Sequence, residues 1–134
     1  MNREEILKEI EEIRVDCSVK DWDGYDGYPI SPKAIDYILE FISKLSDEEL
    51  RLAEPSPFPN ERMGIEWDLM DGKVFSFQFV LADHVQKRDI LVVSIDKKGN
   101  LYYTAIIENK TIAAEYNFAK EGIKQELMDL IKLF

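Results

Sequence analysis

The chain has 134 residues, of which 46% are hydrophobic and 11% aromatic, and this composition is typical of a globular domain and not of a disordered segment. Its 27 Asp and Glu residues outnumber its 17 Lys and Arg residues, which gives a formal net charge of -10. The negative charge argues against a nucleic-acid partner and against docking on an anionic membrane, because both require a basic protein surface.

Residues 3–15 are predicted to form the first helix. Ile6, Ile10 and Ile13 are spaced by four and three positions, which places them on one face of a helix. The remaining positions of this segment are mostly charged and predict a solvated face. The segment is therefore expected to pack one apolar stripe against the core.

A second helix is predicted to begin at Pro32, with Ser31 as its N-cap. The residues after it continue the helical spacing, and the predicted buried stripe consists of Ile35, Ile38, Leu39, Ile42 and Leu45. The sequence Ser-Asp-Glu-Glu at residues 46–49 fits a capping box and predicts a further short helical turn.

A proline-rich segment separates the helical half from a half with the pattern of strands. Pro55, Pro57 and Pro59 predict a stiff, extended connector. After it, apolar residues alternate with polar ones at a period of two, which predicts a strand at 65–69 and another at 75–81.

These two strands are expected to form a hairpin. A three-residue loop with Gly72 at a left-handed bulge places Trp67 opposite Phe75 and Ile65 opposite Phe77. This register buries one continuous apolar face, whereas a two-residue turn would place carboxylates opposite phenylalanines. We therefore predict the three-residue loop.

The rest of the chain is predicted to contain strands 90–95, 101–108 and 111–116, a turn at 96–100, and a helix from about Ala119 in which Gly122 is a weak point. The predicted fold class is α+β, with two N-terminal helices, a four- to five-stranded antiparallel meander and a C-terminal helix. An antiparallel sheet buries one face and the helices must bury their stripes, so a two-layer sandwich within one domain, 1–134, is expected.

The segment 21–29, Asp-Trp-Asp-Gly-Tyr-Asp-Gly-Tyr-Pro, carries three carboxylates within six residues. It does not match a calcium-binding EF-hand loop, because the fifth and twelfth positions would be Tyr25 and Pro32. Trp22 and the glycines are expected to be structural. The candidate partner-binding residues of this segment are Asp21, Asp23, Tyr25, Asp26 and Tyr28.

Glu66 and Asp68 are two further candidates for partner binding. They share one face of the predicted strand at 65–69, roughly 7 Å apart along it. Such a pair can hold a metal or transfer protons, but no histidine or third ligand lies at a suitable spacing. His84, the only histidine, lies in a charged loop. The sequence therefore predicts no catalytic residue, metal ligand or cofactor.

The order of several motifs resembles a widespread family of small bacterial and phage proteins that carry a Trp-Asp-Gly-Tyr loop and a downstream Glu-Trp strand. The matching residues are Trp22-Asp23-Gly24-Tyr25, Pro29 or Pro32, Ala34 and Phe41 in the second helix, the prolines at 55–59, and Gly64-Ile65-Glu66-Trp67. The resemblance covers roughly residues 20–134. It implies the fold and a bacterial or phage origin, and that family has no established activity.

Cys17 is the only cysteine, which excludes an internal disulfide and a zinc site built from cysteines. The N-terminal residues are charged and do not resemble a signal peptide. A cytoplasmic location is therefore expected.

These observations predict a non-catalytic acidic module that binds a basic protein, as an antitoxin, immunity protein or inhibitor does in bacterial or phage defence. The negative residues concentrate in the N-terminal half, which is where the partner is expected to bind. Two alternatives stay open: a homo-oligomeric structural module, and a divalent-cation-dependent enzyme or sensor that uses the Asp-rich segment and Glu66.

Overall fold

The computed structural model describes residues 1–18, 29–58, 60–69 and 89–134. The elements in these ranges are α1 (Arg3–Asp16), α2 (Pro32–Ser43), β1 (Ala53–Pro57), β2 (Met63–Asp68), β3 (Ile90–Ile95), β4 (Asn100–Ile107), β5 (Lys110–Asn117), α3 (Phe118–Glu121) and α4 (Gln125–Ile131). The strands form one open antiparallel sheet in the order β1-β2-β3-β4-β5. The predicted α+β class and antiparallel meander are confirmed.

Capping residues fix where the helical segments begin. At the start of α1 the Asn2 side chain accepts from the Glu5 N–H at 2.8 Å, and the Glu5 carboxylate accepts from the Asn2 N–H at 3.2 Å. The predicted capping box at 46–49 is also present, with reciprocal bonds of 2.8 and 3.1 Å between Ser46 and Glu49. Two orphan N–H groups are satisfied at each of these ends.

The start of α2 agrees with the prediction in position but not in detail. Ser31 is the N-cap residue and Pro32 follows it, yet the Ser31 side chain makes no capping hydrogen bond. The predicted stripe faces the core, except that Leu39 is only half-buried. Pro32 stabilises this start through its fixed φ, without a side-chain cap.

The helices cover one face of the sheet and form the second layer. Alternation along each strand turns the same rows of residues toward α1 and α2. Two such buried rows run across the sheet: Ala53, Trp67, Leu91 and Ala105, and Pro55, Ile65, Val93 and Tyr103. The described helices include none that is long and apolar enough to cross a membrane.

Trp67 connects the sheet to the helical layer at the centre of this core. Its side chain is fully buried, and its indole N–H donates to the Glu49 carbonyl oxygen at 2.8 Å. The edge of Phe41 in α2 meets its ring at a centroid distance of 6.5 Å, and Phe41 meets Phe118 of α3 at 5.8 Å. Three elements of the fold therefore meet through one series of aromatic rings.

The proline-rich connector is a strand. Residues 53–57 are extended, as predicted, but they pair with β2 as the edge strand β1, and Pro59 lies outside the described residues. Pro55 and Pro57 lack an N–H and cannot sit between two strands, so the edge is the position that accepts them. The prediction of a connector was wrong because prolines are compatible with an edge strand as well as with a linker, and the sequence pattern does not distinguish the two.

The predicted pairing of Trp67 with Phe75 and of Ile65 with Phe77 is also wrong. Trp67 lies between Ala53 and Leu91, so both of its sides are already paired, and Ile65 is likewise paired with β1 and β3. Phe75 and Phe77 lie outside the described residues. The alternation identified the buried face of β2 correctly, but it contains no information on which strands flank it.

The C-terminal helix is broken where a local weakness was expected. Gly122 separates α3 from α4 with φ 66° and ψ -147°, a conformation that is essentially restricted to glycine. The Tyr116 hydroxyl donates to the Gly122 carbonyl oxygen at 2.8 Å and accepts from the Lys124 N–H at 3.2 Å. This turn lets α3 bury Phe118 while α4 buries Leu127.

Replacing Trp67 with Phe is expected to lower the free energy of unfolding by about 1–3 kcal/mol, because the Glu49 carbonyl loses its donor and the smaller ring leaves space. Chemical denaturation followed by circular dichroism measures the change. Leu133→Ala is the control: that side chain is 60% exposed, and its loss should cost less than about 0.5 kcal/mol. An equally small effect of Trp67→Phe would contradict this account.

Candidate protein-binding surface

The candidate residues of the Asp-rich segment, Asp21, Asp23, Tyr25, Asp26 and Tyr28, lie outside the described residues. The residues that flank the segment are described. The Ile30 N–H donates to the Cys17 carbonyl oxygen at 2.9 Å, and the Ser31 N–H donates to that of Glu61 at 3.4 Å. The base of the segment therefore lies at the end of α1, beside the turn between β1 and β2.

Glu66 and Asp68 share one face of β2, as their spacing predicts. Ile65 and Trp67 face the core, so the two carboxylates lie on the opposite face of the sheet, which we call the outer face. Both residues are half-buried. Asp68 lies at the far end of β2 from Glu61, roughly 20 Å away by strand rise.

Glu54 of β1 lies directly opposite Glu66 in the pairing of the two strands. Two carboxylates in this position repel each other and do not stabilise the sheet. Glu54 is exposed, whereas Glu66 is half-buried. The pair brings negative charge to the proline-containing side of the sheet.

Two glutamates of α1 extend this negative charge from the sheet to the helical layer. Burial raises the pKa of Glu9 above its ordinary value of 4.5, and the neighbouring carboxylates of Glu54 and Glu12 raise it further, while the N-terminal ammonium partly offsets them. We call Glu9, Glu12 and Glu54 the acidic edge. No ion pair within 4.0 Å joins any of them to a cationic side chain in the described part of the chain.

Other acids of the helical half are paired with cations. Asp47 accepts from the Arg3 guanidinium at 3.0 Å, and Arg14 lies 3.4 Å from Glu11 and 3.8 Å from Asp36. These pairs neutralise part of the negative charge that the composition assigns to this half. The three carboxylates of the acidic edge take part in none of these pairs.

A cavity of about 680 Å³ lies at the start of α1, and its lining carries both signs of charge: Met1, Asn2, Arg3, Glu4, Asp47, Glu48 and Arg51. Arg3 donates to the carbonyl oxygens of Ile42 and Leu45, at 3.1 and 2.5 Å, in addition to Asp47. The N-terminal ammonium donates to the Arg51 carbonyl oxygen at 2.8 Å. Arg3 and the N-terminal ammonium therefore donate their hydrogen bonds to acceptors of the protein itself.

One end of the outer face is covered by the protein's own side chains. The Arg62 guanidinium lies 4.5 Å from the centre of the Tyr102 ring and donates to the Ser94 hydroxyl at 3.4 Å. The Phe58 ring lies so close to Gly64 that a Cβ there would collide with it. Ser94 is consequently only 4% exposed. Glu66 lies on the next outer-facing row and is half-buried.

The chemistry of these groups is that of an electrostatic contact surface. Among the described residues, no group of three His, Cys, Asp or Glu side chains is arranged to hold a metal ion, and His84 lies outside them. Carboxylates without a cationic neighbour attract basic side chains of another molecule. The arrangement therefore fits recognition of positive charge.

The sequence did not identify Glu54 as a site residue, because the prolines after it indicated a connector. A connector, unlike a strand, does not assign a side chain to one face of a sheet. A signal was present: Ala53 and Pro55 alternate with Glu54, and proline is tolerated in edge strands. Glu9 was assigned to a solvated helix face, and nothing local predicts its approach to β1. That proximity depends on how the two layers pack.

Comparison of the chain with protein-family models, with curated proteins and with solved structures finds no match.

Replacing Glu9 with Gln is expected to stabilise the protein at neutral pH. A raised pKa means that the folded state disfavours the ionised carboxylate, so Glu9 destabilises the fold once it is ionised. Below its ordinary pKa of 4.5 the group is protonated in both states and the gain should vanish. The gain at pH 7 should be a few tenths of a kcal/mol, about what a solvent-screened group contributes.

Denaturant unfolding of wild-type and variant at pH 7 and at pH 4 measures this difference. Glu115→Gln, on the exposed strand β5, removes the same charge far from the acidic edge and serves as control. A loss of stability at pH 7 for Glu9→Gln would contradict the repulsion described here.

Proposed function

We propose that the protein is a non-catalytic binding module whose acidic edge engages a basic protein surface. The observation that supports this most directly is the group of Glu9, Glu12 and Glu54, which lie together at one side of the sheet without an ion pair in the described part of the chain. Glu54 is paired with the candidate residue Glu66 of β2, whose side chain lies on the outer face. A cationic partner would relieve the repulsion among these groups.

The energetic role of such a surface is mainly in association. Clustered like charges raise the rate at which an oppositely charged protein arrives in the correct orientation, and salt weakens the effect. Each exposed ion pair contributes little to affinity by itself, typically about 0–1 kcal/mol. We therefore expect the acidic edge to govern the association rate more than the dissociation rate.

The backbone of β1 supports recognition through side chains. Pro55 and Pro57 remove two N–H donors from this edge, so an incoming strand could not complete a ladder of hydrogen bonds along it. A partner on this side would contact carboxylates and the rim of the sheet. This arrangement agrees with an electrostatic contact and not with extension of the sheet.

The biological role that we propose is that of an antitoxin, immunity protein or inhibitor that acts on a basic protein in the cytoplasm, in bacterial or phage defence. The resemblance of the Trp-Asp-Gly-Tyr segment and the Glu-Trp strand to small bacterial and phage proteins supports this context. The base of the Asp-rich segment, beside Glu61, lies on the same β1–β2 side of the molecule as the acidic edge. The candidate residues Asp21, Asp23 and Asp26 lie outside the described residues, and we propose them as further contacts for the same partner.

The test requires a partner captured from the native host and then purified. Simultaneous replacement of Glu9, Glu12 and Glu54 by Gln should slow association with that protein on the order of tenfold at low salt, with a smaller effect on dissociation. Surface plasmon resonance at two salt concentrations measures both rates.

A variant with Glu115, Glu121 and Glu126 replaced by Gln provides the matched control, since it loses the same charge from β5, α3 and α4. Its association rate should change much less. Equal slowing of both variants would mean that only net charge matters, and an unaltered rate for the first variant would refute a role for the acidic edge.

A further inference from the structure

Strand β5 forms the edge of the sheet opposite to the acidic edge, and it is built very differently from β1. Within the described residues it pairs with β4 alone. All residues from Lys110 to Glu115 are exposed, and the strand contains no proline. Long, exposed edges without proline or strong charge are the ones that pair with another strand. On this edge Ile112 is 44% exposed.

The turn before β5 shows which of its backbone groups point outward. Ile107 lies opposite Lys110, and the two residues between them, Glu108 and Asn109, have φ of 51° and 66°, as in a type I′ hairpin. The residues that flank such a turn form a hydrogen-bonded pair, and this state alternates along the strand. The N–H groups of Thr111, Ala113 and Glu115 therefore point away from β4.

We propose that a second copy of this chain pairs antiparallel with β5 across a twofold axis at Ala113, which joins two sheets into one. This register overlaps the strands from Lys110 to Tyr116. It places Ala113 opposite its own copy and Thr111 opposite Glu115 of the other chain, and both pairs use outward-facing backbone groups. No two like charges lie opposite each other.

The side chains on the helix-facing side of β5 suit the same register. Ile112 lies opposite Ala114 of the other copy, and Lys110 opposite Tyr116. Ile112 of the two copies would also lie diagonally across the new strand pair, so Ala114 and Ile112 of the second copy would cover the exposed isoleucine. Ile112 and Ala114 are exposed, so the described part of the helical layer leaves space beside them for the side chains of a second copy.

Charge distribution favours β5 over other surfaces for self-association. Two chains with a net charge of -10 repel each other, and the repulsion is least where the local charge is balanced. β5 carries one cation and one anion, Lys110 and Glu115. Pairing there would place the acidic edges at the two far ends of the joined sheet, so each would stay open to a basic partner.

The test is sedimentation velocity on the full chain over a wide concentration range. Wild-type protein should sediment as a dimer that dissociates on dilution. Ala113→Pro removes an outward N–H without removing a hydrogen bond to β4 and should weaken dimerisation at least tenfold, on the order of the loss of a hydrogen-bonded pair. Ile112→Lys should do the same, even if the proline variant does not fold, because the register places position 112 of the two copies diagonally, roughly 7–8 Å apart, where the two added charges repel each other.

Val15→Lys is the matched control for Ile112→Lys, because it adds the same charge at a side chain that is 70% exposed on α1. It should leave the dimer intact. A wild-type chain that stays monomeric at its highest soluble concentration would overturn the proposal, and so would a dimer that both β5 variants leave unchanged. Neither result depends on whether the acidic edge binds a basic protein.

Discussion

The burial of Trp67 is the interaction on which the rest of this structure depends. Its ring lies on the helix-facing side of β2, against Phe41 of the helical layer, and Phe41 in turn contacts Phe118 after the last strand. The indole N–H is satisfied by the Glu49 carbonyl oxygen, so a large polar aromatic side chain is buried without an unpaired donor. The described helices cover the face of the sheet on which Trp67 lies.

Because the helices cover one face of the sheet, the differences that bear on the proposed roles lie at its two edges, β1 and β5. At β1 the prolines prevent strand addition, and the acidic edge supplies negative charge without ion pairs in the described residues. At β5 the backbone is exposed and the local charge is balanced. One edge therefore suits electrostatic contact with another protein and the other suits pairing with a strand. These roles are compatible because the edges lie on opposite sides of the molecule.

Much of the fold is determined by local patterns that a sequence displays. The helical stripe of Ile6, Ile10 and Ile13, the strands β3 and β4, and the capping box at Ser46 all appear in the structure as predicted. The predictions that were wrong concern strand pairing and the connector, and both depend on tertiary context. Alternation around Trp67 shows a buried face but not the neighbouring strands, and Pro55 is compatible with an edge strand as well as with a linker. The placement of Glu66 and Asp68 on one face was predictable, whereas the proximity of Glu9 to Glu54 arises only when the two layers pack.

The most direct test of the central role of Trp67 is a double-mutant cycle with Phe41, using Trp67→Leu and Phe41→Leu separately and together. The account predicts that the two losses in the free energy of unfolding are not additive, with a coupling energy of about 0.5–1.5 kcal/mol for the edge-to-face contact. Additive losses would show that each ring contributes only its own burial. They would contradict the claim that this contact joins the sheet to the helices.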